Sequence, residues 1–191
     1  MDIRQFFFQF RSFTPIPIAL LIIYFAQPDI LLIIPGAALM LIGELIRIWA
    51  VSHAGGATRT RDVGAPFLCT SGPYSRVRNP LYIGNLMIFS GIVLIAGSPN
   101  LPIMLGATIT FFIIQYSLIV SLEEETLIEL FGEPYDTYRK NVRALLPRIT
   151  AWKDAEPRYP IPLGETLITE KRTLQSLILI LMFITLRVYF S

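Results

Sequence analysis

The chain has 191 residues, of which 53% are hydrophobic and only 16% charged, with a formal net charge of +2. A soluble domain of this length needs more surface charge, and the apolar residues fall in long blocks, so the bilayer is the expected solvent. One cysteine and one histidine exclude a disulfide framework and a zinc site built from those residues, and no nucleic-acid partner is expected.

Five membrane-crossing helices are predicted, giving an all-α, polytopic architecture in a single domain over 1–191. The first covers 13–26, is short, and is extended by the aromatic run 6–10; no small-x-small cleavage site follows, so it reads as a helix and not as a signal peptide. The second covers 30–53, with Pro35 near its start, and the third 80–97. The fourth covers 101–122 and the last 173–190. Helices near 20 residues match a hydrocarbon core of about 30 Å. Two three-residue turns, Gln27–Pro28–Asp29 and Ser98–Pro99–Asn100, predict two tight antiparallel helical hairpins.

The two long connections carry the charge. Segment 54–78 holds Arg59, Arg61, Arg76 and Arg78; segment 123–172 holds Arg139, Lys140, Arg143, Arg148, Lys153, Arg158, Lys171 and Arg172. The short turns hold none. The positive-inside rule then places both long loops and the N-terminus in the cytoplasm and the C-terminus outside. The spans are too bare of polar residues for a channel. Activity is expected at the cytoplasmic boundary, where a water-soluble reagent meets something dissolved in lipid.

Two stretches concentrate polar chemistry there. In "SGPYSRVRNPLYIG", residues 71–84, Gly72–Pro73 predicts a tight turn. Asn79 reads as a helix N-cap and Pro80 as the first helical position. The free amides and positive dipole end of that helix favour an anion. Arg76 and Arg78 fall at headgroup depth, and Tyr74 and Tyr82 suit the aromatic belt. In "SLEEETLIELFGEPYDTYRKNVRALLP", residues 121–147, Ser121 is expected to cap a short separate helix opening on Glu123, Glu124 and Glu125. Gly132 ends that helix, and Tyr135 and Tyr138 share a face of the next. Three carboxylates beside a basic turn suit a ligand carrying positive charge or hydroxyls.

Glu44 and Arg47, three apart inside the second span, are either a mutual ion pair or functional groups, since ionisable residues at that depth are costly. His53 reads as a helix-end cation or a base. Cys69 reads as a small buried apolar residue.

"GPYSRVRNPLYIG" resembles the Gly-x-Tyr-x-x-x-Arg-His-Pro-x-Tyr-x-Gly signature of the isoprenylcysteine carboxyl methyltransferase and phospholipid methyltransferase superfamily. "EEETLIELFGEPYDTYRKNV" is similar to that family's second block. The resemblance covers 36–148, leaving 149–172 as an interfacial linker and 173–190 as an extra span. It implies an integral-membrane enzyme using S-adenosylmethionine in a cytoplasmic pocket formed by both blocks, without a Rossmann domain; a GxGxxG loop is indeed missing. Carried over by position, cofactor contacts fall on Phe67, Leu68, Cys69, Tyr74, Asn79, Pro80, Leu81, Tyr82 and Glu123. Family members carry His at the position of Asn79, which cannot titrate. The prenylcysteine enzymes carry an arginine at the position of Ile119, so a prenylcysteine carboxylate is a poor substrate.

What the resemblance implies is methyl transfer to a lipophilic acceptor (a phospholipid amine, isoprenoid or other small lipid) entering from the bilayer between the third and fourth spans. Glu124 or His53 would take the proton of an amine acceptor, and Arg47, with Glu44, would hold an anionic headgroup in place of the missing arginine. The expected setting is a multi-pass protein of the prokaryotic inner (plasma) membrane; oligomeric state is not legible. Two alternatives stand beside this reading. Membrane sterol reductases resemble the family and hold NADPH in the same pocket, with Arg59, Arg61 and Arg76 as partners for its 2′-phosphate. The other alternative is a non-catalytic membrane subunit.

Overall fold

The computed structural model describes residues 2–56 and 63–190; Arg59 and Arg61 lie outside the described residues. In chain order come α1 (Ile3–Gln9), α2 (Ile16–Tyr24), α3 (Ile30–Ala54), a 3-10 turn (Gly72–Ser75), α4 (Pro80–Ala96), α5 (Leu101–Phe131), α6 (Glu133–Asn141) and α7 (Leu163–Tyr189). Among the described residues α3, α5 and α7 are long and apolar enough to cross a membrane, and α4 is a shorter apolar helix. The protein is a membrane protein with transmembrane helices.

The expected first span is instead two short helices. Phe10 to Pro15 forms turns, because Pro15 and Pro17 remove two amide donors where a continuous helix would need them. The nine residues of α2 reach only about 14 Å at 1.5 Å per residue. This helix packs on α4 and α7 and not in a hairpin along α3. Its exit is fixed by the Gln27 amide donating to the Ala96 carbonyl at 2.8 Å. Ile18, Ile22 and Ala26 there meet Ile88, Ile92 and Val93 of α4 and Leu177 and Ile184 of α7. Meanwhile α1 lies on α5, with Phe8 against Phe112, Tyr116 and Ile119 and Arg4 bonded to Glu125 at 2.6 Å.

A second difference concerns α5. It does not stop near 122 but continues to Phe131. Nothing in 121–131 breaks a helix, and the Ser121 hydroxyl donates back to the Leu118 carbonyl at 2.9 Å instead of capping a new one. Gly132, at φ 57°, ends it, as the left-handed conformation suits glycine. At 31 residues the helix is roughly 46 Å long, so its acidic C-terminal turns outrun a bilayer core. Likewise α7 begins at Leu163, so 163–172 belongs to the helix and not to the linker.

The antiparallel pair α3 and α4 forms the centre. A Cβ on Gly43 would stand 2.6 Å from the Gly84 carbonyl oxygen, and one on Gly36 2.8 Å from that of Gly91. Helices in lipid associate through such small residues, because no hydrophobic force separates tail from side chain. Gly43→Leu is therefore expected to force the helices apart at a cost of about 1–3 kcal/mol. The thermal unfolding midpoint in detergent reads this out; an unchanged midpoint would show that the contact is not tight.

Candidate active site

The C-terminal ends of α3 and α5, the N-terminal end of α4 and the loop 63–79 meet at one end of the bundle, with α6 beside them. The start of α7 is tied to the same end by the Ile161 amide, which donates to the Ser52 carbonyl at 2.8 Å. The loop is shaped first by Gly72. Its φ is +58°, and a Cβ there would fall 2.5 Å from the His53 imidazole. Glycine is required twice over. His53 is buried behind this turn, its Nδ1 3.1 Å from both the Trp49 carbonyl oxygen and the Ser52 hydroxyl.

Residues 75–79 are then clamped by the segment after α6. The Arg78 amide donates to the Arg143 carbonyl at 2.9 Å and the Asn79 amide to the Ala144 carbonyl at 3.2 Å; in return the Arg148 amide donates to Arg76 at 2.8 Å and that of Trp152 to Ser75 at 2.9 Å. Asn79 does not cap α4 as expected. Its side-chain amide donates to the same Ala144 carbonyl at 3.1 Å, and no side chain caps that helix. The Arg78 guanidinium pairs with the Glu124 carboxylate and donates to the Arg139 and Val142 carbonyls. The Tyr138 hydroxyl donates to the Tyr74 carbonyl at 2.7 Å. One charged clamp and one tyrosine thus join the two sequence blocks.

Between them lies a cavity of about 160 Å³. Phe67, Leu68, Cys69, Tyr74, Asn79, Pro80, Leu81, Tyr82 and Glu123 all line it, and so does Glu124. Arg78, Leu127, Tyr135 and Tyr138 add to the wall; in sequence the motif arginine, the apolar stripe holding Leu127 and the tyrosine spacing are their signals. Glu123 accepts from the Tyr82 hydroxyl at 2.9 Å, and Tyr82 stacks on Tyr116 with ring centroids 4.4 Å apart. Burial pushes the Cys69 thiol and the Tyr74 phenol above their ordinary values, so both stay protonated at neutral pH and neither is a ready nucleophile or base.

Arg47 and Glu44 are not wall residues. They lie buried among the helices, where Arg47 grips Glu170 of α7 at 2.9 and 2.7 Å. Its Nε stands 3.8 Å from Glu44. The expected Glu44 pairing is thus secondary to one made with a residue 123 positions along the chain, which no local spacing could signal. Arg76 is likewise absent from the wall and donates to the Ile149 carbonyl.

The profile of the phospholipid methyltransferase family matches residues 31–134, more than half of the chain. The chain belongs to that family. Among curated relatives, the nickel-cobalt-cadmium resistance protein NccN of Alcaligenes xylosoxydans xylosoxydans is 28% identical over 118 residues, 62% of this chain and 50% of its own length. The methanethiol S-methyltransferase of Pseudomonas deceptionensis is 37% identical over 79 residues, 40% of this chain and 27% of its own. The protein-S-isoprenylcysteine O-methyltransferase of Schizosaccharomyces pombe is 30% identical over 98 residues, 51% and 39%. The chain spans half or less of the length of these relatives. No solved structure matches it.

Ile119, which the resemblance sets at the arginine position of the prenylcysteine enzymes, is wholly buried against Phe8, Phe112 and Tyr116. An arginine could not be accommodated in that aromatic nest without a partner. The seam between α4 and α5, where an acceptor was expected to enter, is filled by the Tyr82–Tyr116 stack and the Phe89–Phe112 contact at 4.6 Å. Rings would have to part for lateral passage there.

Proposed function

We propose that the cavity binds S-adenosylmethionine and that the protein methylates a lipophilic acceptor delivered by the bilayer. The observation that carries this reading is the Tyr82–Glu123 hydrogen bond at 2.9 Å, which unites the two sequence blocks across one cavity. The chemistry of the wall suits the cofactor. Phe67, Leu68 and Leu127 offer an apolar face for a purine. At the start of α4, where Pro80 has no amide and no side chain caps the helix, the Leu81 amide and the positive dipole end are offered to a carboxylate. Glu123 offers an acceptor for hydroxyls or an ammonium group.

S-Adenosylmethionine, when bound, supplies a methyl group already activated on a sulfonium. The chain's own residues therefore align and dry the site. Tyr82, braced by Tyr116, fixes the Glu123 carboxylate, while Tyr74, Tyr135 and Tyr138 narrow the cavity and exclude water. Glu124 is steadied by Arg78 and takes the proton of an amine acceptor; a thiolate or carboxylate acceptor needs none. Ile119 offers no cation, so a neutral lipophilic nucleophile fits better than a prenylcysteine carboxylate. The relative named methanethiol S-methyltransferase supports an uncharged small acceptor of that kind. The pocket end faces the cytoplasm, in keeping with the clustered arginines and lysines.

Titration of the purified protein tests the cofactor. S-Adenosylhomocysteine is expected to bind in roughly the 1 µM to 1 mM range, NADPH is not, and labelled methyl is expected in lipid extracts of membranes holding the protein. Binding of NADPH in preference to S-adenosylhomocysteine would replace the transferase with a reductase.

A further inference from the structure

The segment matched by the family ends at residue 134, yet α7 reaches into the machinery above. Glu170, fully buried, faces Arg47 of α3 with both carboxylate oxygens, at 2.9 and 2.7 Å from one guanidinium nitrogen. Thr173, one turn further on, accepts from the same nitrogen at 3.1 Å. The other terminal nitrogen of Arg47 donates to the side-chain Oδ1 of Asn85 in α4 at 2.6 Å. Arg47 can approach because its stem lies across Gly84, where a Cβ would stand 2.5 Å from the arginine Cγ.

From Asn85 the contacts continue. Asn85 lies one turn of α4 beyond Tyr82, and Tyr82 stacks on Tyr116 of α5 and donates to Glu123. An ion pair this deep among membrane helices is costly to desolvate and is kept only where its geometry is excellent. Gripping α3, α4 and α7 together is a use that repays such a cost.

We infer that Glu170 is a positioning residue: it holds Arg47, which through Asn85 and the first turns of α4 sets the Tyr82–Glu123 pair, so that α7 is part of the pocket's frame. The inference rests on the reading of that pocket as the cofactor site. It also gives a use to the polar first turns of α7, which lie outside the shared segment.

The test compares Glu170→Gln, Asn85→Ala, their double variant and Ile184→Ala, a control that loosens α7 in the apolar cluster with Leu177 and Ile22. Two readouts are taken. One is S-adenosylhomocysteine affinity; the other is the rate at which a maleimide labels Cys69, the chain's single cysteine and a wall residue, with no cofactor present. Glu170→Gln and Asn85→Ala are each expected to weaken binding about tenfold and to speed Cys69 labelling, with the double variant no worse than the worse single one. Ile184→Ala is expected to lower the unfolding midpoint while binding and labelling as the parent does. If Glu170→Gln instead behaves like Ile184→Ala on both readouts, α7 is a clamp on the bundle only and the inference falls. If the parent fails to bind S-adenosylhomocysteine, the cofactor reading falls, and the labelling rates alone decide the coupling.

Discussion

Arg47→Met is expected to destabilise the protein by about 3–5 kcal/mol, because it takes the guanidinium away from the buried Glu170 carboxylate. Arg47 is 6% exposed and Glu170 0%, so neither can turn outward to solvent. In the parent, four hydrogen bonds from the two terminal nitrogens of Arg47 serve Glu170, Thr173 and Asn85. Methionine leaves all three side chains without that donor, and Glu44 loses the nearby positive charge at 3.8 Å. For a chain of this length the loss corresponds to a fall of about 6–20 °C in the unfolding midpoint. The paired replacement, Arg47→Met with Glu170→Met, is expected to recover most of it, since apolar groups of similar volume desolvate without penalty. Equal midpoints for the single and the double variant would show that the stability comes from packing alone. The comparison separates a fold-stabilising charge pair from the positioning role, because the double variant restores midpoint but not the tether to Asn85.

Much of the architecture was legible because lipid imposes simple rules on a chain. Apolar blocks of the right length, punctuated by Pro28 and Pro99, located α3, α4 and α5, and Gly132 marked the end of α5. The failures have equally plain causes. The first block looked like one span because hydropathy counts side chains and not hydrogen bonds. Pro15 and Pro17 interrupt the ladder, so α1 is free to fold across α5 and α2 is too short to span alone. Ser121 looked like a cap because Ser and Glu often open helices. The same residues continue a helix that is already running, when nothing after them breaks it.

In the candidate site, the residues that converge were readable wherever one turn or one helix face held them. Tyr82 and Glu123 sit on different helices, 41 positions apart, and meet at 2.9 Å; only the two blocks' resemblance to a family joined them before the fold was known. Asn79 shows the limit of local rules. Its position fits a cap, but segment 143–144 runs alongside and offers the Ala144 carbonyl, so tertiary bonding takes the side chain. Arg47 shows the same at longer range. Its neighbour Glu44 is three residues away, yet the bidentate partner comes from α7, and no periodicity within α3 could reveal it.

Glu123→Ala is expected to weaken S-adenosylhomocysteine binding by about a hundredfold or more and to abolish detectable methyl transfer. A hydrogen bond to a charged group contributes about 1.5–3 kcal/mol, and more is lost when its partners stay buried and unmatched. Here the carboxylate is both the wall's acceptor for cofactor hydroxyls or ammonium and the anchor of the Tyr82 hydroxyl, so one truncation removes two functions. Tyr82→Phe separates them. It deletes the hydroxyl but keeps the ring stacked on Tyr116, leaving the carboxylate in place without its brace, and a loss of only about tenfold is expected. Glu123→Gln lies between, because the amide still accepts from Tyr82 but offers no charge. The ordering alanine, then glutamine, then Tyr82→Phe, from most to least damaging, follows if charge and alignment act on one bound molecule. Should Tyr82→Phe prove as harmful as Glu123→Ala, the tyrosine itself contacts the ligand. Should Glu123→Ala bind as the parent does, the cavity between the two blocks is not where the nucleoside sits.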